Sequence, residues 1–418
     1  MSARDPGTRP RRLGGWRALA LVVAAGVVAG SLLVLAQPGQ EPAPPVTPSG
    51  APSPIVSPPT AAPSASAAPT PSVLTTPFTA GGFRWQPLLP RTGNLSTPLI
   101  TPLVVGERVA AVLPAGTGYV AVGTRQNADA SAAQADAWYS SDGTRFLHAT
   151  ITGGTNATMD LLLAAPDGSF VALGEDGYSD NTQMITTRGT ALWTSSDGRA
   201  WRRAPAQASL QGALVRHVVR AGGTYVAVGE APVGPPRLPA PSPGPPIWTS
   251  RDAVHWTRVA ASPVFPASRA LLVNGVAWTG SRFVAVGSDP GGAGPDAWTS
   301  PDGRTWATSD LRTAGPGSPT GTEPTAVAVV GSTLLAVGWT AIGDATVPLA
   351  WASAEGTHWT SVTLPAYLAG IMLQGVTVSG GGVEVAGVQV DTGDPLPQGT
   401  PVQWTLTRVS TRAASQAP

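Results

Sequence analysis

A tryptophan heading nearly the same short peptide recurs about every 53 residues through most of this chain, which dictates a repeat architecture. WYSSDGTRF begins at Trp138, WTSSDGRAW at Trp193, WTSRDAVHW at Trp248, WTSPDGRTW at Trp298 and WASAEGTHW at Trp351, with a degenerate WTLTRVS at Trp404. The steps between these Trp residues are 55, 55, 50, 53 and 53. In the first five copies a second aromatic follows eight positions later: Phe146, Trp201, Trp256, Trp306 and Trp359. A second motif precedes each copy, of which YVAVG ending at Gly123, FVALG at Gly174 and FVAVG at Gly287 are examples. Repeats of this period belong to propellers or solenoids.

Each unit reads as four short strands. The first is apolar, the second is the xVAVG stretch, the third holds the leading Trp, and the fourth starts at the trailing aromatic. Turn signals such as Pro166-Asp167-Gly168 and Ala221-Gly222-Gly223 separate them. The second strand is apolar at nearly every position, as expected of a strand covered on both faces. The degenerate last copy supplies only three strands before the chain is used up, whereas Phe83-Arg84-Trp85-Gln86-Pro87 matches a fourth strand with nothing before it. The expected fold is therefore all-β: a six-bladed β-propeller of four-stranded blades, closed by an N-terminal strand that completes the last blade and so removes open sheet edges.

The S-x-D-G-x-x-W core of the Trp motif resembles the Asp-box (BNR) repeat of sialidase-like propellers, shortened by one residue between Asp and Trp. The third copy lacks the Gly (Asp252-Ala253), and the fifth has Glu355 in place of Asp. Asp142, Asp197, Asp252, Asp302 and Glu355 are read as structural turn residues spread around the outer rim, each carboxylate accepting backbone N–H groups just ahead of it. The resemblance also implies what a sialidase needs: three Arg gripping a substrate carboxylate, a Tyr–Glu nucleophile pair, an Asp acid/base and an Arg-Ile-Pro motif near the start. No Arg-Ile-Pro occurs, and Tyr178 near Glu175 is the one conceivable nucleophile pair.

Ahead of the repeats lies a membrane address. Residues 1–17 carry five Arg against one acid, and residues 18–36 contain no charge. At 1.5 Å per residue this run extends about 28 Å, close to a bilayer's hydrocarbon thickness. It is expected to be a transmembrane signal-anchor helix with a cytoplasmic basic segment, placing the rest of the chain outside the cell membrane. A signal peptide cleaved after Ala36, which would release the protein, is the alternative. Residues 37–80 form a Pro/Ala/Ser/Thr-rich stalk, expected to be disordered because it buries too little apolar surface. The propeller spans 81–410, and 411–418 is a disordered tail.

Chemistry is constrained mostly by exclusion. The chain has no Cys, and all 25 of its Lys+Arg residues are Arg, so thiol catalysis, disulfides and Lys nucleophiles are ruled out. With 24 acids in balance there is no basic footprint for nucleic acid. No nucleophile elbow, phosphate loop or HExxH motif is found. The four His (His148, His217, His255, His358) are dispersed among the repeats, so no metal or cofactor is expected, apart from Ca²⁺ as a candidate among the oxygens of 175–181.

Recognition is expected in the segments joining second and third strands, which vary in length and share one face. Eleven of the 22 carboxylates from residue 81 onward lie there, against three Arg. The candidate binding residues are Glu175, Asp176, Tyr178, Asp180, Arg188, Asp289, Asp296, Trp339, Asp344 and Asp391. The expected function is a non-enzymatic binding module at the cell surface, its partner a glycan, a wall polymer or a protein. The alternative is a sialidase-like glycoside hydrolase with a divergent active site.

Overall fold

The computed structural model of the chain describes residues 76–88, 106–126, 133–177, 189–230, 245–266, 271–289, 294–311, 321–343, 345–379, 382–390 and 400–409. The expected basic segment, membrane helix, tail and most of the stalk lie outside these residues. Among the described residues no helix is long and apolar enough to cross a membrane.

The architecture is a succession of antiparallel four-strand meanders. The first unit comprises Glu107–Ala115, Gly118–Gln126, Ala133–Ser140 and Leu147–His148. The second comprises Leu161–Ala164, Phe170–Asp176, Gly189–Ser195 and Ala200–Arg203. The third and fourth, Leu214–Ala221 through Thr257–Arg258 and Leu272–Trp278 through Ala307–Ser309, are joined by a Glu230–Leu272 bridge. The fifth runs from Glu323–Val330 to Thr360–Ser361. A closing unit takes Ile371–Ser379, Gly382–Gln389 and Thr400–Arg408 from the C-terminal end, and its next strand is Phe83–Pro87 from the N-terminal end. There Trp85 pairs with Leu406 and Pro87 with Trp404, and the rings of Trp85 and Trp404 meet edge to face at 6.2 Å.

One boundary differs from the sequence reading. Residues 78–80, assigned to the disordered stalk, form a further antiparallel strand along Phe83–Pro87. Phe78 stacks on Trp85 with ring centroids 5.2 Å apart, so apolar burial outweighs the bias of the stalk composition.

Packing explains the xVAVG and Trp motifs together. Alternate residues of the second strand face opposite neighbours. Val226 and Val228 pack toward the fourth unit, while Ala227 turns to the second. The alanine is small because the leading Trp of the same unit lies across from it, as Ala227 does from Trp248 and Ala172 from Trp193. Each Trp pair then fills the seam with the preceding unit: Trp248 and Trp256 lie among Leu161, Val171, Leu173 and Leu192. Trp351 and Trp359 pack in the same way with Val284 and Val286 of the fourth unit. Each such Trp buries enough area to contribute several kcal/mol, about 3–5 by the cost of truncation to Ala. The first unit's own Trp138 and Phe146 cluster with Val109, Val112 and Tyr119, without a described apolar residue of the closing unit.

The acidic turns link third and fourth strands. Asp197 Oδ1 accepts the N–H of Arg199 at 2.9 Å, Ser195 Oγ accepts that of Gly198 at 2.8 Å, and Trp201 Nε1 donates back to Gly198 O at 3.1 Å. The same set recurs around Asp302 and, in part, around Asp142 and Asp252. Glu355 is one methylene longer, and its carboxylate instead accepts the Thr357 hydroxyl at 2.6 Å. The residue after the acid has φ between 64° and 84°, a value carried by Ala253 in the third turn and by Gly in the others.

Candidate functional site

The first strands pack on one another in series, from Glu107–Ala115 through Leu161–Ala164, Leu214–Ala221, Leu272–Trp278 and Glu323–Val330 to Ile371–Ser379. They are thus the innermost strands. In five of them a bulge inserts one extra residue: Ala110, Arg216, Asn274, Thr325 or Gln374. The glycine ending xVAVG permits this bulge, since a Cβ on Gly229 would lie 1.8 Å from Leu214 O. Asp160, whose N–H bonds Leu173 O, sits beside the start of the second unit's first strand.

These residues reach across to neighbouring units. Asn274 Nδ2 donates to Pro324 O at 2.9 Å, Thr325 Oγ1 to Leu373 O at 2.8 Å, and Arg108 Nη2 to Asp160 Oδ1 at 3.0 Å. Arg216 reaches both the second unit and the neighbouring strand of its own unit. Its Nη1 donates to Glu175 Oε1 at 3.0 Å and its Nε to Glu230 Oε1 at 2.9 Å, with a further contact from Nη2 to the same oxygen. The guanidinium is largely buried, with 11% of the side chain exposed. Burial alone would lower its pKa, but Glu230 and Glu175 outweigh that and raise it. Glu175 is raised, chiefly by burial, against the opposing pull of Arg216.

Glu323 completes the charged group. Burial, reinforced by the negative charge of Glu230, raises its pKa to about 7. Glu323 therefore holds its proton far more tightly than an ordinary carboxyl. It is the cross-strand partner of Trp339, so an aromatic side chain and this carboxyl share one sheet edge. His217, next to Arg216, is held neutral by burial, its pKa lowered to about 4, and its Nδ1 accepts the Val276 N–H at 3.3 Å.

The sequence-expected residues divide into three groups. Glu175, Asp176, Asp289, Asp296 and Trp339 do not lie in loops as anticipated, because second and third strands stay paired beyond the xVAVG glycine. Tyr178, Asp180, Arg188, Asp344 and Asp391 lie outside the described residues. The acidic turns are on the outer connections, apart from the Arg216 group. Glu175 and Asp176 each hold a guanidinium, Asp176 that of Arg203 at 2.7 Å, and residues 178–181 of the Ca²⁺ candidate segment lie outside the described residues. The charge count had paired these acids only with Arg in the same segments, whereas Arg216 and Arg203 arrive from first and fourth strands. Arg108, Asp160, Arg216 and Glu323 were missed because the first strands read as plain apolar runs. Their signal was a charged residue at one of two recurring places beside the bulge in an otherwise apolar strand, Arg108 and Glu323 before it and Arg216 at it.

A pH experiment isolates Glu323. The folded state holds its proton more tightly than the unfolded chain does, so stability is full below about pH 4.5 and falls as pH rises toward 7. The cost reaches at most on the order of 3 kcal/mol. Glu323→Gln is expected to remove this fall, so its advantage in Tm over the parent should widen between pH 4.5 and 8. A gap that stays constant with pH would show that Glu323 ionises like a solvated carboxylate.

The sequence matches no protein-family model and no curated protein. Several solved structures resemble the fold. One is YjhT, 9% identical over 74% of this chain and 97% of that one, with a TM-score of 0.42. Another is an α-L-arabinanase of Penicillium chrysogenum, 11% identical over 75% and 96%, with a TM-score of 0.39. A third is the Hadza microbial sialidase Hz136, 14% identical over 73% of this chain and 66% of that one, also at 0.39. At such identities the likeness concerns strand arrangement, and function has to be argued from the side chains.

Proposed function

We propose that this protein is a six-bladed β-propeller of Asp-box type that binds a hydroxyl-rich ligand, a glycan or wall polymer, without chemically changing it. Residues 18–36 hold it to the cell membrane and the Pro-rich segment lifts it outward; cleavage after Ala36 would instead release it. The observation carrying the binding reading is the pairing of Arg216 with Glu175 and Glu230, with Arg108 and Arg203 likewise on their own acids. Arginines neutralised in this way do not form the open cationic grip that an acidic sugar's carboxylate requires. What remains is a set of short-range donors and acceptors, the Glu323 carboxyl with its raised pKa and the face of Trp339, which suits hydroxyl groups and an apolar sugar face.

A hydrolytic reading is favoured by one specific feature. Glycoside hydrolysis needs a general acid that keeps its proton near neutrality, and Glu323 has the raised pKa of such a group. The two readings separate in one experiment. The full-length protein is tested against an array of neutral, amino and acidic glycans and against fluorogenic glycosides. Binding to neutral or amino glycans without turnover, weakened about tenfold or more in Trp339→Ala, is expected. Turnover abolished in Glu323→Gln would replace the binding reading by the hydrolytic one.

A further inference from the structure

Where each second strand passes its xVAVG glycine it faces the start of the innermost strand, and the pair found there differs from unit to unit. In the first unit the pair is Thr124 with Arg108, and in the third Glu230 with Leu214. In the second, the Glu175 N–H donates to the Thr158 hydroxyl at 3.0 Å. The fourth has Ser288 with Leu272, the fifth Trp339 with Glu323, and the closing unit Val388 with Met372. The first three units bring charges that satisfy one another, since Arg108 is held by Asp160 and Arg216 by Glu175 and Glu230. In the other three units Glu323 is the one charged residue of the six.

Two side chains of this second half lack the surroundings their kind has elsewhere. Glu323 stands where other units have Leu214, Leu272 and Met372. Burial and the charge of Glu230 act on its carboxyl in the same direction, and among the described residues no donor or cation opposes them. A carboxyl so placed is unfavourable unless an opposite charge meets it. Trp339 is the second. Among the described residues every other Trp is either more than nine-tenths buried or, like Trp278 on Phe283 at 4.6 Å, packed on another ring. Trp339 is only part-buried, and no described ring lies against it.

The register puts these two together. Directly opposed residues of antiparallel strands project to one face with Cβ atoms about 4.5–5.5 Å apart. Glu323 and Trp339 are opposed in this way, and both are part-exposed, so solvent reaches the pair. A carboxylate beside an indole is an arrangement that holds an organic cation. Its N–H groups make charge-assisted bonds to the oxygens, and the ring face attracts the same positive charge. A metal ion is poorly served, because one carboxylate supplies too few of the six to eight oxygens that Ca²⁺ takes or of the four ligands that Zn²⁺ takes.

We propose that Glu323 and Trp339 bind the ammonium group of an amino sugar, so that the glycan this protein recognises carries free amines. The inference rests on the glycan reading above and narrows it. A ligand with hydroxyl groups alone leaves the carboxyl without a counter-charge, whereas an ammonium supplies one together with three donors. The bound ammonium favours the ionised carboxylate, so binding near neutrality expels the Glu323 proton.

The test titrates the full-length protein by calorimetry at pH 6.5 with two tetrasaccharides of one backbone, a glucosamine tetramer and its fully N-acetylated form. The amine form is expected to bind about tenfold or more tightly, the worth of one charge-assisted contact. Glu323→Gln keeps the shape and removes the charge, and should bring that ratio to about one. Glu355→Gln, on an outer turn, should leave the ratio as it is, which separates the site from a general attraction of amines to acids. In buffers of different ionisation enthalpy, the parent should release more protons on binding the amine tetramer than Glu323→Gln does. Equal affinities for the two tetramers in the parent overturn the inference and leave the glycan reading standing, as does a preference that survives in Glu323→Gln. Binding of neither tetramer overturns the inference, and the glycan reading with it only if the glycan array is also blank. If Glu323→Gln fails to fold, the parent's affinity ratio and proton release decide, and a ratio near one or no release overturns the inference.

Discussion

Trp85→Ala is expected to destabilise the protein by about 3–5 kcal/mol, as much as any core truncation, although Trp85 lies 319 residues before Trp404, whose ring it meets. The indole is 1% exposed and lies among Leu335, Val337, Val385 and Trp404. It is also the residue through which the N-terminal strand grips Thr400–Arg408, its Nε1 donating to Ala80 O at 3.2 Å. Losing the strand's anchor uncovers the backbone edge of Thr400–Arg408, so the second expected sign is concentration-dependent self-association. Urea unfolding followed by Trp fluorescence, with light scattering at several concentrations, checks both. A loss below about 1 kcal/mol would mean that the last unit is complete without this strand, contrary to the observed pairing.

Arg216→Ala has a comparable expected cost for a different reason. Here the loss is electrostatic: Glu175 and Glu230 would be left as uncompensated charges in a part-buried site, a change that typically costs about 3–5 kcal/mol. Arg216→Lys retains the charge but not the planar fork that serves Glu230 and Glu175 at once, so it should restore only part of the stability. The triple replacement Arg216→Met, Glu175→Gln, Glu230→Gln removes the charges together and should recover most of it. Chemical denaturation of the three proteins at pH 7.5 provides the comparison. If Arg216→Ala and the triple variant are equally unstable, side-chain packing rather than charge pairing is responsible.

The repeat fold was legible because its signals are local and redundant. A Val-Ala-Val-like stretch ending in Gly, a Trp and a Ser–acid turn each state one demand of a strand covered on both faces, and the three recur together in all but the last unit. Even the role of Phe83–Pro87 followed from counting strands. Less was legible at the site. Glu175 was singled out for belonging to an acidic segment, yet its chemistry comes from Arg216, 41 residues away in another unit's first strand. Charge counting along segments failed because it pairs residues by chain proximity, whereas the ion pairs form between strands, some within a unit (Arg216 with Glu230, Arg203 with Asp176) and some across units (Arg216 with Glu175, Arg108 with Asp160).

Local side-chain demands by themselves therefore determined the strands, their turns, their order and the need for a strand from the far end of the chain. Short-range propensity and alternate burial suffice for that, and they repeat. Tertiary structure alone decided which charges meet and which carboxyl keeps its proton. Those outcomes depend on burial and on through-space distances of a few ångströms between strands that the chain order keeps apart.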